Sequence, residues 1–464
     1  MNTIKKFLYL LSHEERKRAY LLLLMILIMA LLDMLGVASI MPFIAVMSNP
    51  ELVETNFILK TMFEYLSDFG IETNQQFLFF LGISVFLLLV VSLTFKAVTL
   101  YAQVRFIQMR EYSISKRLVE GYLHQPFSWF LNRHSAEIGK TILSEVSKVV
   151  SKGLGPMINL IAQCAVTVAI ITLLILVDPK LTLIVSLILG VAYWIVYRLT
   201  RSFITRKGKQ SLKFNEGKFT AVSEAFGAAK EIKVGGLEQT FIKRFSDPAI
   251  LLAQDNAKVT VIGLLPRYVL EAITFGGMML VVIYLIAQSG TFINAVPILA
   301  LYAFAGYRLM PALQQIYTNI VSLRYATPSL DSVIDDLKSL QPYNPSISQD
   351  TLQLKKNITL NHINYSYPNS SRTALNNINF SIQARSTVGL VGATGSGKTT
   401  TVDIILGLLI PQKGTLEVDD KVIDKNNLKA WQRSIGYVPQ QIFLSDDSIA
   451  ANIAFGTNLK DINQ

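Results

Sequence analysis

Apolar residues in this chain come in long blocks separated by charged stretches, and the length of the blocks is the first clue to what they are. Six blocks lie at about 19–47, 77–106, 155–178, 181–200, 259–287 and 292–321. A helix needs roughly 20 apolar residues to cross a bilayer, so each block predicts a span. The first follows "HEERKR" and has no small-residue cleavage site after it, so it reads as a retained span and not as a leader. Between the first two, "FILKTMFEYLSDFGI" places Ile58, Leu59, Met62, Phe63, Leu66 and Phe69 on one helical face. A short helix in the outer membrane interface and a helix packed on the span tops fit that pattern equally. After Val321 the pattern turns polar and Pro-punctuated, with Leu330, Val333, Ile334 and Leu337 marking one short helix in a connector. Beyond it, "ITLNHINYSY", "ALNNINFSI" and "STVGLVG" read as short strands. The expected organisation is a membrane domain over 1–321, a linker over 322–345 and a soluble domain over 346–464.

Charge decides which way the spans run. Residues 107–154 hold seven Lys/Arg against four acids, and 201–258 hold eleven against six. The segment 48–76 holds one Lys against five acids. The positive-inside rule places the N-terminus and both long loops in the cytoplasm, and six spans return the soluble domain to that same side. Charged residues make up only 16% of the chain, against a usual value of about 25%, while apolar residues make up 51%. The net charge of +11 is accounted for by basic loops between spans, so nucleic acid is not an expected partner. The single cysteine, Cys164, allows no internal disulfide.

The most specific chemistry lies in "LVGATGSGKTTTVDIILGLL". Gly392, Gly395, Gly397, Lys398 and Thr399 satisfy G-x-x-x-x-G-K-[ST], a phosphate cradle. With Ala393, Thr394, Ser396 and Thr400 they supply backbone amides and hydroxyls for the phosphates of ATP. Lys398 adds a cation, the Thr399 hydroxyl is placed to ligate Mg²⁺, and the helix that follows aims its positive end at the anion. Upstream, Tyr367 in "NYSYP" offers a ring that can stack on adenine, although a lone Tyr is usually core or surface filler. Downstream, Gln440 ends an expected strand, "IGYVPQ", where its amide can reach Mg²⁺ or an attacking water.

Taken together, these features resemble an ABC exporter half-transporter over essentially the whole chain. "SYP", "GATGSGKTT", "LLIPQKGTLEVDD" and "IGYVPQQIFLSDDSIAANIAFG" resemble the family's A-loop, Walker A, following strand and Q-loop in order and spacing. "QPFSWFLNRHSAEIGKTILSEV" and "SEAFGAAKEIKVGGLE" resemble the segments that bear its coupling helices. "MALLDMLGVASIMPFI" and "ALYAFAGYRLMPALQQI" are most similar to the branch of PglK-type flippases of lipid-linked oligosaccharides. The resemblance implies a six-helix exporter-type transmembrane domain followed by a partial α/β P-loop nucleotide-binding domain. It also implies a second half-transporter as partner in a homodimer, contact with membrane lipids, and a multi-pass place in the inner membrane. One departure stands out: no LSGGQ-like string, Walker B carboxylate or switch His follows the P-loop, the last His being His362. The 464-residue chain alone is therefore expected to bind ATP weakly and not to hydrolyse it.

Ionisable residues inside spans cost roughly 2.5–3.5 kcal/mol or more each and point to function by default. Asp33, Lys96, Arg267, Glu271 and Arg308 fall within the expected spans. Lys96, Arg267 and Arg308 sit at similar depth in the cytoplasmic half, an arrangement suited to the phosphate or pyrophosphate of an anionic lipid-linked substrate. Arg267 and Glu271 are also four apart and able to neutralise each other, and Lys96 can snorkel to the interface. Three functions remain open: a flippase for an anionic lipid-linked oligosaccharide or related lipid, a peptide or drug exporter, and a truncated non-catalytic nucleotide-binding membrane protein.

Overall fold

Backbone amides inside a bilayer have no water to bond to, so a chain of this composition crosses as helices whose hydrogen bonds close within themselves. The computed structural model describes residues 3–68, 70–289, 296–341, 351–368, 370, 372–440, 442–457 and 459–461. It divides into two units, 1–124 with 134–342, and 125–133 with 343–464.

In the helical unit, His13–Ala38 starts at a capping box in which the Ser12 hydroxyl accepts from the Glu15 amide and the Glu15 carboxylate accepts from Ser12. After Ser39 the chain continues as Ile40–Ser48. The later long helices are Asn74–Leu123, Pro179–Gly227, Glu238–Ser289 and Val296–Ser339. Helical turns also fill Ser135–Val177, interrupted by π-turns at Thr141–Glu145 and Val150–Leu154. Among the described residues, His13–Ser48, Asn74–Leu123 and Ser135–Val177 are long and apolar enough to cross a membrane. The expected blocks at 181–200 and 259–287 lie inside Pro179–Gly227 and Glu238–Ser289, and the sixth enters Val296–Ser339, its residues 292–295 lying outside the described ones.

Much of what reads as loop is helix. The 50 residues of Asn74–Leu123 extend about 75 Å at 1.5 Å per residue, against about 30 Å of hydrocarbon. The basic segments 107–154 and 201–258 are therefore mainly helical extensions beyond the spans. The expected connector after Val321 also differs: the last helix runs on through Pro328 to Ser339 and buries Leu330, Val333 and Ile334. Residues 342–345 lie outside the described ones. Polar groups tie the extensions together. The Asn215 amide donates to Glu145 at 2.7 Å, Lys148 donates to the Ser211 hydroxyl at 2.8 Å, and Tyr325 donates to Asn256 at 2.6 Å. Burial pushes the Lys148 ammonium below its ordinary range, with the Glu145 charge acting the other way.

The helix Phe57–Ser67 packs Leu59, Phe63 and Leu66 against Val46, Phe77 and Leu81, with the Phe63 and Phe77 rings edge to face. Ile58 and Met62, expected on the same face, are exposed with Phe57 and Tyr65, and Phe69 lies outside the described residues.

The second unit holds a four-stranded antiparallel sheet: β1 Asn357–Ser366, β2 Thr373–Gln383, β3 Lys413–Val418 and β4 Lys421–Val422, in the order β2-β1-β3-β4. Its core joins Ile358, Leu360, Ile363 and Tyr365 of β1 to Leu375, Leu416, Val418, Ile404 and Trp431. Two expected strands are absent. Residues 386–392 and 435–439 make no ladder, and Val391 and Val438 are 97% and 86% exposed. A strand exists only beside a partner, and among the described residues none lies alongside either segment.

Gly208 marks a close backbone approach within the extensions: a Cβ there would stand 2.6 Å from the Tyr325 carbonyl oxygen. Gly208→Ala is expected to cost about 1–3 kcal/mol through overpacking and to lower the thermal midpoint of the detergent-solubilised protein. Gly190→Ala, where nothing lies within 4 Å of the added carbon, should leave it unchanged. Equal midpoints for the two variants would contradict this packing.

Candidate functional site

The phosphate cradle grows out of glycine conformations that other residues avoid. Gly395 and Gly397 have φ of +81° and +92°, in the left-handed region that disfavours a Cβ. At Gly397 a Cβ would also stand 2.6 Å from Leu375 and 2.9 Å from the Ala374 carbonyl. Gly397 caps the helix Lys398–Ile405, whose first turn presents backbone amides toward the loop. Within the helix, the Thr401 hydroxyl donates to the Gly397 carbonyl at 3.0 Å.

Lys398 folds back over the loop. Its ammonium donates to the carbonyls of Gly392 and Ala393 at 2.7 and 2.9 Å and approaches the Ser396 hydroxyl at 3.5 Å. The cation thus lies in the concavity of the loop, held by neutral acceptors that an anionic oxygen outcompetes, because charge-assisted bonds are roughly twice as strong. Gly392, Ala393, Thr394, Gly395, Ser396 and Thr399 are exposed, while Thr400 is buried. The loop's shape, its exposed amides and its lysine fit a nucleotide phosphate, and the exposed Thr399 hydroxyl fits Mg²⁺.

Tyr367 is brought to the cradle. Its hydroxyl lies 3.0 Å from the Thr400 hydroxyl, and its ring stands edge-on to Tyr365 with centroids 5.2 Å apart. That hydrogen bond fixes the ring beside the P-loop helix, a coupling the linear sequence does not reveal. Gln440 is exposed in an irregular segment, and the strand expected to deliver it does not form.

Within the helical unit, the three expected cations separate into two arrangements. Lys96 and Arg308 both donate to Asp33, at 3.2 and 3.3 Å, and the Ser92 hydroxyl adds a third bond at 3.1 Å. Arg267 pairs with Glu271 one turn away, at 2.7 Å. Ser92 is the member the sequence did not single out, and Asp33, visible as a charge within a span, was not seen as the partner of both cations. The spacing of Ser92 and Lys96, four apart on one helix, was the available signal.

Comparison with known proteins follows the same division. Residues 40–311 match the ABC transporter transmembrane region and residues 375–463 match the ABC transporter domain. The chain is 26% identical over 350 residues to an ATP-dependent lipid A-core flippase of Burkholderia thailandensis, covering 73% of this chain and 57% of the relative. It is 23% identical over 352 residues to the flippase of the same name from Cupriavidus metallidurans, covering 74% of this chain and 58% of the relative. The chain thus spans less than two thirds of the length of these relatives. A bacterial Atm1-family ABC exporter with ATP bound shares the fold at a TM-score of 0.69 and 16% identity, over 95% of this chain and 74% of that one. With the transmembrane-region match alone extending over more than half of its length, the chain belongs to the ABC transporter family.

Proposed function

We propose that the chain is a half-transporter of an ATP-driven flippase that moves an anionic lipid-linked oligosaccharide, or a related lipid, across the inner membrane with a second copy as partner. The observation that carries this reading is the pair of cations, Lys96 and Arg308, gathered on one buried carboxylate in a membrane-spanning unit. The lipid flippases among its relatives support a lipid as cargo. The basic helical extensions support a cytoplasmic N-terminus and nucleotide domain.

The residues divide the work. Amides of Gly392 to Thr400 hold phosphate oxygens, Lys398 exchanges its bonds to Gly392 and Ala393 for those oxygens, and Tyr367 stacks on the base. Thr399, with Gln440, would hold Mg²⁺, which would supply positive charge to offset that of the phosphates. Positioning and electrostatic stabilisation supply nearly all of the catalysis in phosphoryl transfer. Lys96 and Arg308 receive the phosphate-bearing head group, and Arg267 joins them once released from Glu271.

Lys398→Ala should abolish MgATP binding, read by calorimetry, while leaving membrane insertion intact. Tyr367→Ala should weaken ATP binding by about 1–3 kcal/mol, the contribution of one aromatic–base stack. Tyr367→Phe should lose only the bond to Thr400, about 0.5–1.5 kcal/mol. Unchanged ATP affinity in Tyr367→Ala would remove the adenine from this position.

The cargo is tested in proteoliposomes with a lipid pyrophosphate and a neutral lipid of the same tail. The charge-free triple Asp33→Asn, Lys96→Gln, Arg308→Gln avoids stranding a lone buried charge. It should lose transport of the pyrophosphate lipid by about tenfold or more, since bonds to charged groups contribute about 1.5–3 kcal/mol each, and keep transport of the neutral one. Arg267→Gln with Glu271→Gln tests the third cation in the same assay. Equal losses for both lipids would contradict an anionic cargo and favour a peptide or drug exporter.

A further inference from the structure

The acid in the Asp33 cluster is sealed and its cations are not. The Asp33 side chain has 0% exposure, whereas Lys96 and Arg308 keep 42% and 20% of theirs. Both carboxylate oxygens are engaged, one by Ser92 and Arg308 and the other by Lys96. The ammonium has three donors and the guanidinium five, and these bonds occupy one on each. Two positive charges face one negative charge, leaving a surplus of one on the exposed side. A triad built only to hold helices together has no need of that surplus or of exposed cations.

Polar positions continue away from the cluster along two of its helices. Ser92, Lys96, Thr99 and Gln103 recur at i, i+4, i+7 and i+11, which places them on one helical face. Arg308, Gln315 and Asn319 follow the same spacing, and Gln163 donates to Gln315 at 2.9 Å. Thr99 and Asn319 are 0% and 8% exposed. The Thr99 hydroxyl and the Asn319 amide nitrogen have no hydrogen-bond partner among the described residues. Unmade bonds of this kind are costly in a buried site, and both lie on the side of the cluster nearer the basic extensions along their own helices.

We propose that Asp33 is the resident counter-anion of an anion-exchange site. It keeps Lys96 and Arg308 together when the site is empty, and it yields their donors to a phosphate or pyrophosphate group that reaches their exposed sides. This rests on the anionic-lipid reading and adds to it a competitor built into the chain. Asp33 therefore limits affinity, so that a head group bound in one state of the transporter can be released in another.

Binding of radiolabelled inorganic pyrophosphate to the detergent-solubilised full chain tests this. All proteins carry Lys398→Ala and are assayed without Mg²⁺, which silences the P-loop. Asp33→Asn, similar in shape but uncharged, should tighten binding by on the order of tenfold or more, since it removes a like charge a few ångströms from the ligand. Its thermal midpoint should fall in anion-free buffer and recover with pyrophosphate, and adding Arg308→Gln should abolish both effects. Affinity that is unchanged or weakened by Asp33→Asn overturns the proposal. If Asp33→Asn does not accumulate, Asp33→Asn with Lys96→Gln keeps the same net charge as the wild type. That variant should bind pyrophosphate through Arg308 at least as tightly as the wild type, and binding indifferent to Arg308→Gln overturns the proposal. A second arm uses a long-chain lipid pyrophosphate in nanodiscs. Tightening seen with the lipid alone assigns the site to a membrane-borne head group, and tightening with both probes assigns it to the phosphate group itself. If Asp33→Asn changes neither while the charge-free triple still loses pyrophosphate-lipid transport, the counter-anion role fails and the flippase reading stands. If wild-type chain binds lipid pyrophosphate no better than neutral lipid, both fall.

Discussion

A carboxylate sealed from water must be balanced within a few ångströms, and in the membrane unit that requirement falls on Asp33. Its partners come from two other helices, Ser92 and Lys96 from Asn74–Leu123 and Arg308 from Val296–Ser339, while Asp33 itself belongs to His13–Ala38. The first, second and last long helices are thereby tied at one point. Removing either side alone would leave charge uncompensated. The extensions are tied in a similar way, with Asn215 donating to Glu145 and Lys148 to Ser211 where two helical runs meet. Lys207 and Asp255 add an ion pair at 2.7 Å.

The nucleotide unit depends on a different constraint, the backbone of the P-loop. Gly395 and Gly397 turn the chain where a Cβ is disfavoured, and Leu375 of β2 closes over Gly397 so tightly that only hydrogen fits. The antiparallel sheet thus shapes the cradle from behind. Lys398, bonded to its own loop, keeps the cation inside the concavity.

Legibility followed the range of the interactions. The P-loop was readable because its geometry is encoded in eight consecutive residues, and β1 and β2 because alternation is local. The apolar blocks were readable because the bilayer imposes a length. The extensions were not, because charge-rich helices supported by contacts such as Gly208 against Tyr325 look like loops in a hydropathy profile. The Pro-punctuated stretch after Val321 read as a connector, yet the last helix runs through Pro328 because the burial of Leu330, Val333 and Ile334 outweighs its lost hydrogen bond. Residues 386–392 carry a strand pattern but no strand neighbour, which a pattern cannot reveal. Asp33 was visible as an isolated charge, but its pairing with Lys96 and Arg308 spans separations of 63 and 275 residues. Arg267, by contrast, had its partner Glu271 in view from the start.

The central claim is that the phosphate cradle of one unit and the cations of the other serve one cycle. Two sites in one cycle are linked, so that a ligand at one changes affinity at the other. The direct measurement is the affinity of the full chain in nanodiscs for a lipid pyrophosphate, with and without saturating MgATP. The account predicts a shift of about fivefold or more in the wild type and none in Lys398→Ala. Identical affinities in the wild type, with MgATP binding independently demonstrated, would contradict it.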